Sequence, residues 1–238
     1  MNKKLKVILG VFYLACLVLL LYAFFTFLDF RRINDYSYIR DNTQILMSFK
    51  NQNLIAFIFL FFICGIIWVL LLGFGSPIAL VSGFIFGKFI GTIICVLSLS
   101  VGSTLLYIFA KLYFKDLITK HLSYKISKFK NLFNKNEFLY FLLFRFAGGG
   151  GIPFALQNIL PTIFDMKNNN YFYATLFGLV PTTFIINSLG SGIEKVIEDN
   201  QEVTMLEVIS DPAIYFPIMG FILILTISYF VKNKIFKK

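Results

Sequence analysis

The sequence predicts an all-α integral membrane protein, a polytopic helical bundle with two facing re-entrant (broken-helix) arms in an inverted repeat. Three observations carry this. The chain is 58% apolar and only 14% charged, with a mean hydropathy of +0.79, whereas a soluble domain is roughly 25% charged. Several stretches reach the roughly 18 nearly uncharged residues that a spanning helix needs. Two short apolar pieces, broken by Gly and Pro, occupy matching places in the two halves, as in transporters whose site lies at a repeat interface.

Residues 1–53 read as an N-terminal span, Val7–Leu28, and a polar loop from Asp29 to Asn53. The span is longer than the roughly 7–15 apolar residues of a secretory signal, and no small-x-small cleavage site follows it. The core, 54–192, opens with a second span at Leu54–Gly73 that carries the only tryptophan, Trp68. Gly73-Phe74-Gly75-Ser76-Pro77 breaks it, and a first arm follows near 76–90. Gly91–Phe114 is again long and apolar. In Lys115–Glu137, Leu122, Ile126, Phe129 and Phe133 recur at helical spacing among Lys120, Lys125, Lys128 and Lys130. That pattern fits a basic amphipathic helix on an anionic membrane surface, or a solvated linker helix.

The second arm covers 138–163, with Phe138–Phe146 and Pro153–Ile163 on either side of a glycine run. Asp165–Asn170 is a polar turn, and Tyr171–Gly192 spans, with Pro181 placed to kink it. Residues 193–238 hold an acidic loop to Asp211, a last span at Ala213–Val231, and a tail with Lys232, Lys234, Lys237 and Lys238. Charge bias puts the basic middle and tail in the cytoplasm and the acidic loop outside. The same count of crossings puts Lys3, Lys4 and Lys6 outside, against that bias.

The candidate site is Arg145-Phe146-Ala147-Gly148-Gly149-Gly150-Gly151-Ile152-Pro153, in a chain with 18 Lys and four Arg. A guanidinium at membrane depth is expensive and points to function. Broken backbone survives at that depth only where it is buried in protein or lines a cavity. Amides of Gly148–Gly151, with a helix beginning near Pro153, suit an anion, and Arg145 adds a bidentate phosphate donor. The alternatives are a plain glycine hinge and an arginine that snorkels to the interface. Gln157, Asn158 and Asn187 are polar groups in apolar arms that can also simply join helices. Asp165 and Glu137 are the carboxylates nearest to Arg145 in the chain.

Ala79, Gly83, Gly87 and Gly91 fall on one helical face and suit close helix packing. Phe89, where a phosphate-binding loop needs Ser or Thr, rules that motif out. Cys16, Cys64 and Cys95 lie in apolar stretches without metal-like spacing. His121 is the only histidine, and no carboxylate cluster accompanies it, so neither an enzyme, a metal nor a cofactor is expected. The net charge of +10 flanks the spans and suits lipid headgroups rather than nucleic acid.

Gly75-Ser76-Pro77, Leu80, Gly83, Phe86-Gly87, Gly91, Gly102, Tyr107 and Ala110-Lys111 together resemble the first half of the DedA/VTT-domain (SNARE-associated Golgi protein) membrane family. Phe144-Arg145-Phe146, Pro153-Phe154-Ala155-Leu156-Gln157-Asn158, then Gly178-Leu179-Val180-Pro181-Thr182-Thr183-Phe184 and Leu189-Gly190 are similar to its second half. The resemblance covers 73–192. It implies two re-entrant arms related by inverted symmetry and, by function, lipid scrambling or the flipping of phosphate-headed polyprenyl carriers. The family's arginine, proline and asparagine carry over to Arg145, Pro153 and Asn158, and its first-arm proline and glycines to Pro77, Gly83 and Gly87. No carboxylate lies between Leu54 and Phe114, which sets the chain in the branch without an acidic pair and argues against proton coupling. The glycine richness after Arg145, and Pro161 where the family carries glycine, are further departures.

The function expected is movement of a phospholipid or polyprenyl-phosphate-type lipid between leaflets. Arg145, Gly148, Gly149, Gly150, Gly151, Pro153, Asn158, Pro77, Gly83, Gly87 and Pro181 would line the path. The partners are membrane lipids through their phosphate headgroups and, in a homo-oligomer, further copies of the chain. The expected location is the bacterial cell (inner) membrane. A small-solute or ion transporter and a non-transporting assembly factor are the alternatives.

Overall fold

The computed structural model describes residues 36–113 and 136–198 continuously, with isolated positions at 15, 18, 19, 22, 115, 133, 135, 212, 215, 216, 219, 220, 222, 223 and 226. Among the described residues every regular element is helical. Most of the expected spans Val7–Leu28 and Ala213–Val231, and most of the basic segment Lys115–Glu137, lie outside them. Two compact units are formed, Met1–Phe57 and Ile58–Lys238.

In the first unit, α1 (Tyr36–Gln52) is a helix where the sequence reads as a polar loop. Thr43, Leu46, Met47 and Lys50 are its less exposed positions, and their i, i+3, i+4, i+7 spacing defines one helical face. Scattered charges hide that face from a reading by composition.

α2 (Leu54–Leu70) is uncharged over its 17 residues and ends before Gly73. The chain then reverses through Leu72, at a φ of 62°. Trp68 closes this turn by donating from its indole Nε1 to the Phe74 carbonyl at 2.8 Å. A Cβ on Gly73 would lie 2.2 Å from that indole nitrogen, so the turn needs glycine there. α3 (Gly75–Phe86) returns along α2, bringing the Phe61 and Phe86 rings edge to face at 5.3 Å.

Gly87, at a φ of 75°, ends α3, and α4 (Lys88–Tyr113) begins at once. Ala79, Gly83, Gly87 and Gly91 therefore do not share one continuous helical face; the positive φ at Gly87 divides them between two helices. The packing role remains. A Cβ on Gly83 would fall 2.0 Å from the Asn187 carbonyl oxygen, and one on Gly91 would fall 2.7 Å from that of Ser82.

α5 (Glu137–Phe146) starts at Asn136, whose Oδ1 accepts from the Leu139 amide at 3.1 Å. A 3-10 turn over Gly148–Gly151 reverses the chain. α6 (Phe154–Ile159) and a second 3-10 turn over Leu160–Phe164 bring it back. The two ends of this hairpin meet: Glu137 Oε1 accepts from Asn170 Nδ2 at 2.6 Å and from the Lys167 amide at 3.2 Å.

α7 (Asn168–Glu198) passes through Pro181 as one helix and continues beyond Gly192, so the acidic segment begins as helix. It runs antiparallel to α4. Phe89 meets Phe184 at 5.7 Å, Asn187 Nδ2 donates to Thr92 Oγ1 at 3.0 Å, and Tyr107 stacks on Tyr171 at 4.3 Å. Among the described residues two helices, Lys88–Tyr113 and Asn168–Glu194, are long and apolar enough to cross a membrane. They become three if 42–52 and α2 form one bent span.

Candidate functional site

Arg145 is the largest fully buried side chain among the described residues, at 0% exposure. Phe141, one turn earlier on α5, is buried on the same face, so the helix carries its charge inward. Gly178 on α7 makes room: a Cβ there would lie 2.5 Å from the Arg145 Cβ. Enclosed on all sides, Arg145 does not snorkel.

Three neutral side chains accept its hydrogen bonds. Arg145 Nη1 donates to Gln157 Oε1 at 3.1 Å, and Nη2 donates to Asn158 Oδ1 and, at 3.0 Å, to the Tyr171 hydroxyl. The rings of Phe141, Phe154 and Tyr171 lie 4.9, 5.2 and 5.9 Å from the guanidinium carbon. Ring faces attract a cation most strongly where water is excluded. Neither nearby carboxylate serves Arg145. Asp165 pairs with Lys111 at 2.8 Å and Lys115 at 2.9 Å, and Glu137 holds the base of the hairpin. The hydrogen bond from Lys111, then that from Lys115, holds the Asp165 carboxyl below its ordinary pKa.

The glycine run holds Gln157 in register with Arg145. Gln157 Nε2 donates to the Ile152 carbonyl at 2.7 Å and to that of Gly148 at 3.4 Å. A Cβ on Gly149 would overlap the Gln157 amide at 2.0 Å. All four glycines have positive φ, from 61° to 82°, a conformation that costs any other residue about 1–2 kcal/mol. Gly149 is buried, while Gly148, Gly150 and Gly151 are exposed. Pro153 caps α6, which at six residues has few aligned peptide dipoles to attract an anion.

Arg145, Gly148, Gly149 and Asn158 thus come together, and a Cβ on Gly148 would stand 4.0 Å from Thr182, next to Pro181. Gly83 lies instead at the crossing with Asn187, Gly87 ends α3, and Pro77 is exposed in the first turn of α3. The first hairpin reaches the site through Gly75, where a Cβ would stand 3.5 Å from the Phe154 ring. Phe154 therefore lies between the tip of one hairpin and the cation of the other. Tyr171, Phe141 and Gly178 complete the shell. No sequence signal separates the two aromatics from a chain with 31 Phe and 12 Tyr.

The family model described as VTT domain matches residues 73–192, half of the chain. No curated protein and no solved structure gave a significant match.

Proposed function

We propose that this chain, which belongs to the VTT domain family, the DedA/SNARE-associated Golgi protein family, lets a phospholipid or polyprenyl-phosphate-type lipid change leaflet. Its family and its apolar helices make it an integral membrane protein. The observation that carries the lipid reading is a fully buried cation, without a carboxylate partner among the described residues, beside a glycine turn that breaks a hairpin.

In this reading the two hairpins are re-entrant arms of a polytopic bundle in the bacterial cell membrane, facing each other across Phe154. Gly178, opposite Arg145, lies about 15 Å along α7 from Asn168, roughly half of a 30 Å hydrocarbon layer. Short arms thin the apolar barrier there. A headgroup passes over the exposed glycine tip while the acyl tails stay in lipid.

The closed arrangement reserves Arg145 for Gln157 and Asn158. Two phosphate oxygens can replace those two amide oxygens on the same planar fork and bring the charge that the amides lack. Engagement must stay weak, since a tight site would trap the headgroup. The test is dithionite quenching of a labelled lipid in vesicles containing only this protein. Quenching beyond the outer-leaflet fraction is expected; a trace identical to empty vesicles, with folded protein present, sinks the proposal.

A further inference from the structure

The two limbs of the second hairpin are held in unequal measure. α5 is fastened to α7 near both of its ends. Glu137 Oε1 accepts from Asn170 Nδ2 at 2.6 Å, and a Cβ on Gly178 would lie 2.5 Å from the Arg145 Cβ. The foot of the return limb is fastened to α4 instead. The Met166 carbonyl accepts from the Tyr107 hydroxyl at 2.6 Å and from Lys111 Nζ at 3.0 Å, while Asp165 pairs with Lys111 and Lys115. Thr162 and Met166 are fully buried there.

Between the foot and the tip lies α6. Among the described residues its side-chain hydrogen bonds run to Arg145, to Tyr171 and to the backbone of Gly148 and Ile152. Phe154 packs on the core of the first hairpin, and Leu156 is half exposed. Both ends of α6 are built to bend. On one side four glycines hold positive φ, and a Cβ on Gly150 or Gly151 would meet nothing within 4 Å. On the other, Pro161 has no N–H to return to the Gln157 carbonyl, so the helical ladder is cut between α6 and the 3-10 turn. The Thr162 hydroxyl, donating to the Ile159 carbonyl, spans the cut. Leu160, ahead of that proline, is held at φ −51° and ψ −40°, a region that a following proline disfavours. Turning Leu160 out of it relieves crowding, whereas moving α5 would have to part it from α7.

We propose that α6 is a gate over Arg145. It swings about Leu160–Pro161 and the glycine turn, drawing Gln157, Asn158 and Phe154 away while α5 keeps the guanidinium against α7. Open, the gate leaves Nη1 and Nη2 to an incoming anion; closed, it returns their amide partners. The gate rests on the lipid reading for its purpose but not for its motion.

The test is hydrogen exchange of the full-length protein in lipid vesicles, with lipid movement measured on the same vesicles. The Gln157–Leu160 amides should exchange roughly tenfold faster than those of Tyr140–Arg145. A Cβ on Gly75 would stand 3.7 Å from Phe154 Cγ, so Gly75→Cys/Phe154→Cys can close a disulfide across that contact once Cys16, Cys64 and Cys95 are replaced by alanine. Oxidation should slow α6 exchange and lipid movement by about tenfold each against the reduced sample, and reduction should restore both. Pro161→Ala returns the missing N–H and should slow both, whereas Pro161→Gly should keep both; this pair decides the matter if the disulfide does not form. Exchange in α6 as slow as in α5 overturns the gate, and so does lipid movement that survives the closed disulfide. Fast α6 exchange that the disulfide arrests, in vesicles where no lipid moves, keeps the gate and sinks the lipid reading alone.

Discussion

The Tyr171 hydroxyl accepts a hydrogen bond from the Arg145 guanidinium at 3.0 Å, while the Tyr171 ring stacks on Tyr107 at 4.3 Å. One side chain thus ties the second hairpin to both long helices. Tyr171→Phe keeps the stack and deletes the bond to the charged donor, worth about 1.5–3 kcal/mol. Thermal unfolding in detergent should show a Tm lowered by several degrees. A variant as stable as the parent would mean that the stack alone holds the hairpin.

Arg145→Lys tests the planar fork. An ammonium cannot meet Gln157 and Asn158 with two fixed donors, so lipid movement in vesicles should drop by on the order of tenfold with protein yield intact. Unchanged movement would remove Arg145 from the transport mechanism and leave it a structural role.

Two glycines of the first hairpin should respond in opposite measure to alanine. At Gly83 the added Cβ would meet backbone, 2.0 Å from the Asn187 carbonyl oxygen, whereas at Gly87 it would meet nothing within 4 Å. Gly83→Ala forces α3 away from α7 and should cost more than about 3 kcal/mol, or prevent folding. Gly87→Ala retains only the cost of its φ of 75° and ψ of 173°, a region essentially confined to glycine, about 1–3 kcal/mol. Yield and Tm of the two variants give the ranking, and the reverse order would contradict the described crossing.

Asp165 sets an acid-side limit. Its folded pKa is lowered by Lys111 and Lys115, so the folded state holds the ionised form more strongly than the unfolded chain does. The stabilisation is present above the unfolded carboxyl value of about 3.9 and is lost as pH falls through the lower folded value. Asp165 is more than half exposed, and solvent screening keeps the effect modest. Asp165→Asn should flatten the decline in Tm below about pH 4 and lower Tm slightly at neutral pH. An equally steep acid decline in the variant would assign it to other carboxylates.

The polar half of the site is legible in the sequence because polarity is rare there. Arg145, Gln157 and Asn158 stand out against apolar arms, and the glycine run between them announces the reversal that brings them together. Part of the aromatic shell is hidden: Phe154 stands in the Pro153–Asn158 stretch, but Phe141 and Tyr171 differ from dozens of other rings only in position. Gly178 and Gly75 work by what they lack, which shows only once Arg145 and Phe154 are in place. The first arm misleads for a related reason. Gly83 and Gly87 mark a break and a crossing, and at the tip it is Gly75 that meets the second hairpin. α1 is lost to composition, since Arg40, Asp41 and Lys50 mask a face that helical spacing reveals.

The meeting of Glu137 with Asn170 and the Lys167 amide bears on how such a protein is made. In the proposed re-entrant arrangement, a hairpin that ends where it began delivers no connecting loop to the far side. Arg145 can therefore be carried to depth as the passenger of a folded unit, with Gln157 and Asn158 already on its guanidinium. It can be added once α4 and α7 offer a wall to dock on. The insertion machinery would then never have to pass a bare guanidinium through lipid; assembly would be the step that installs it.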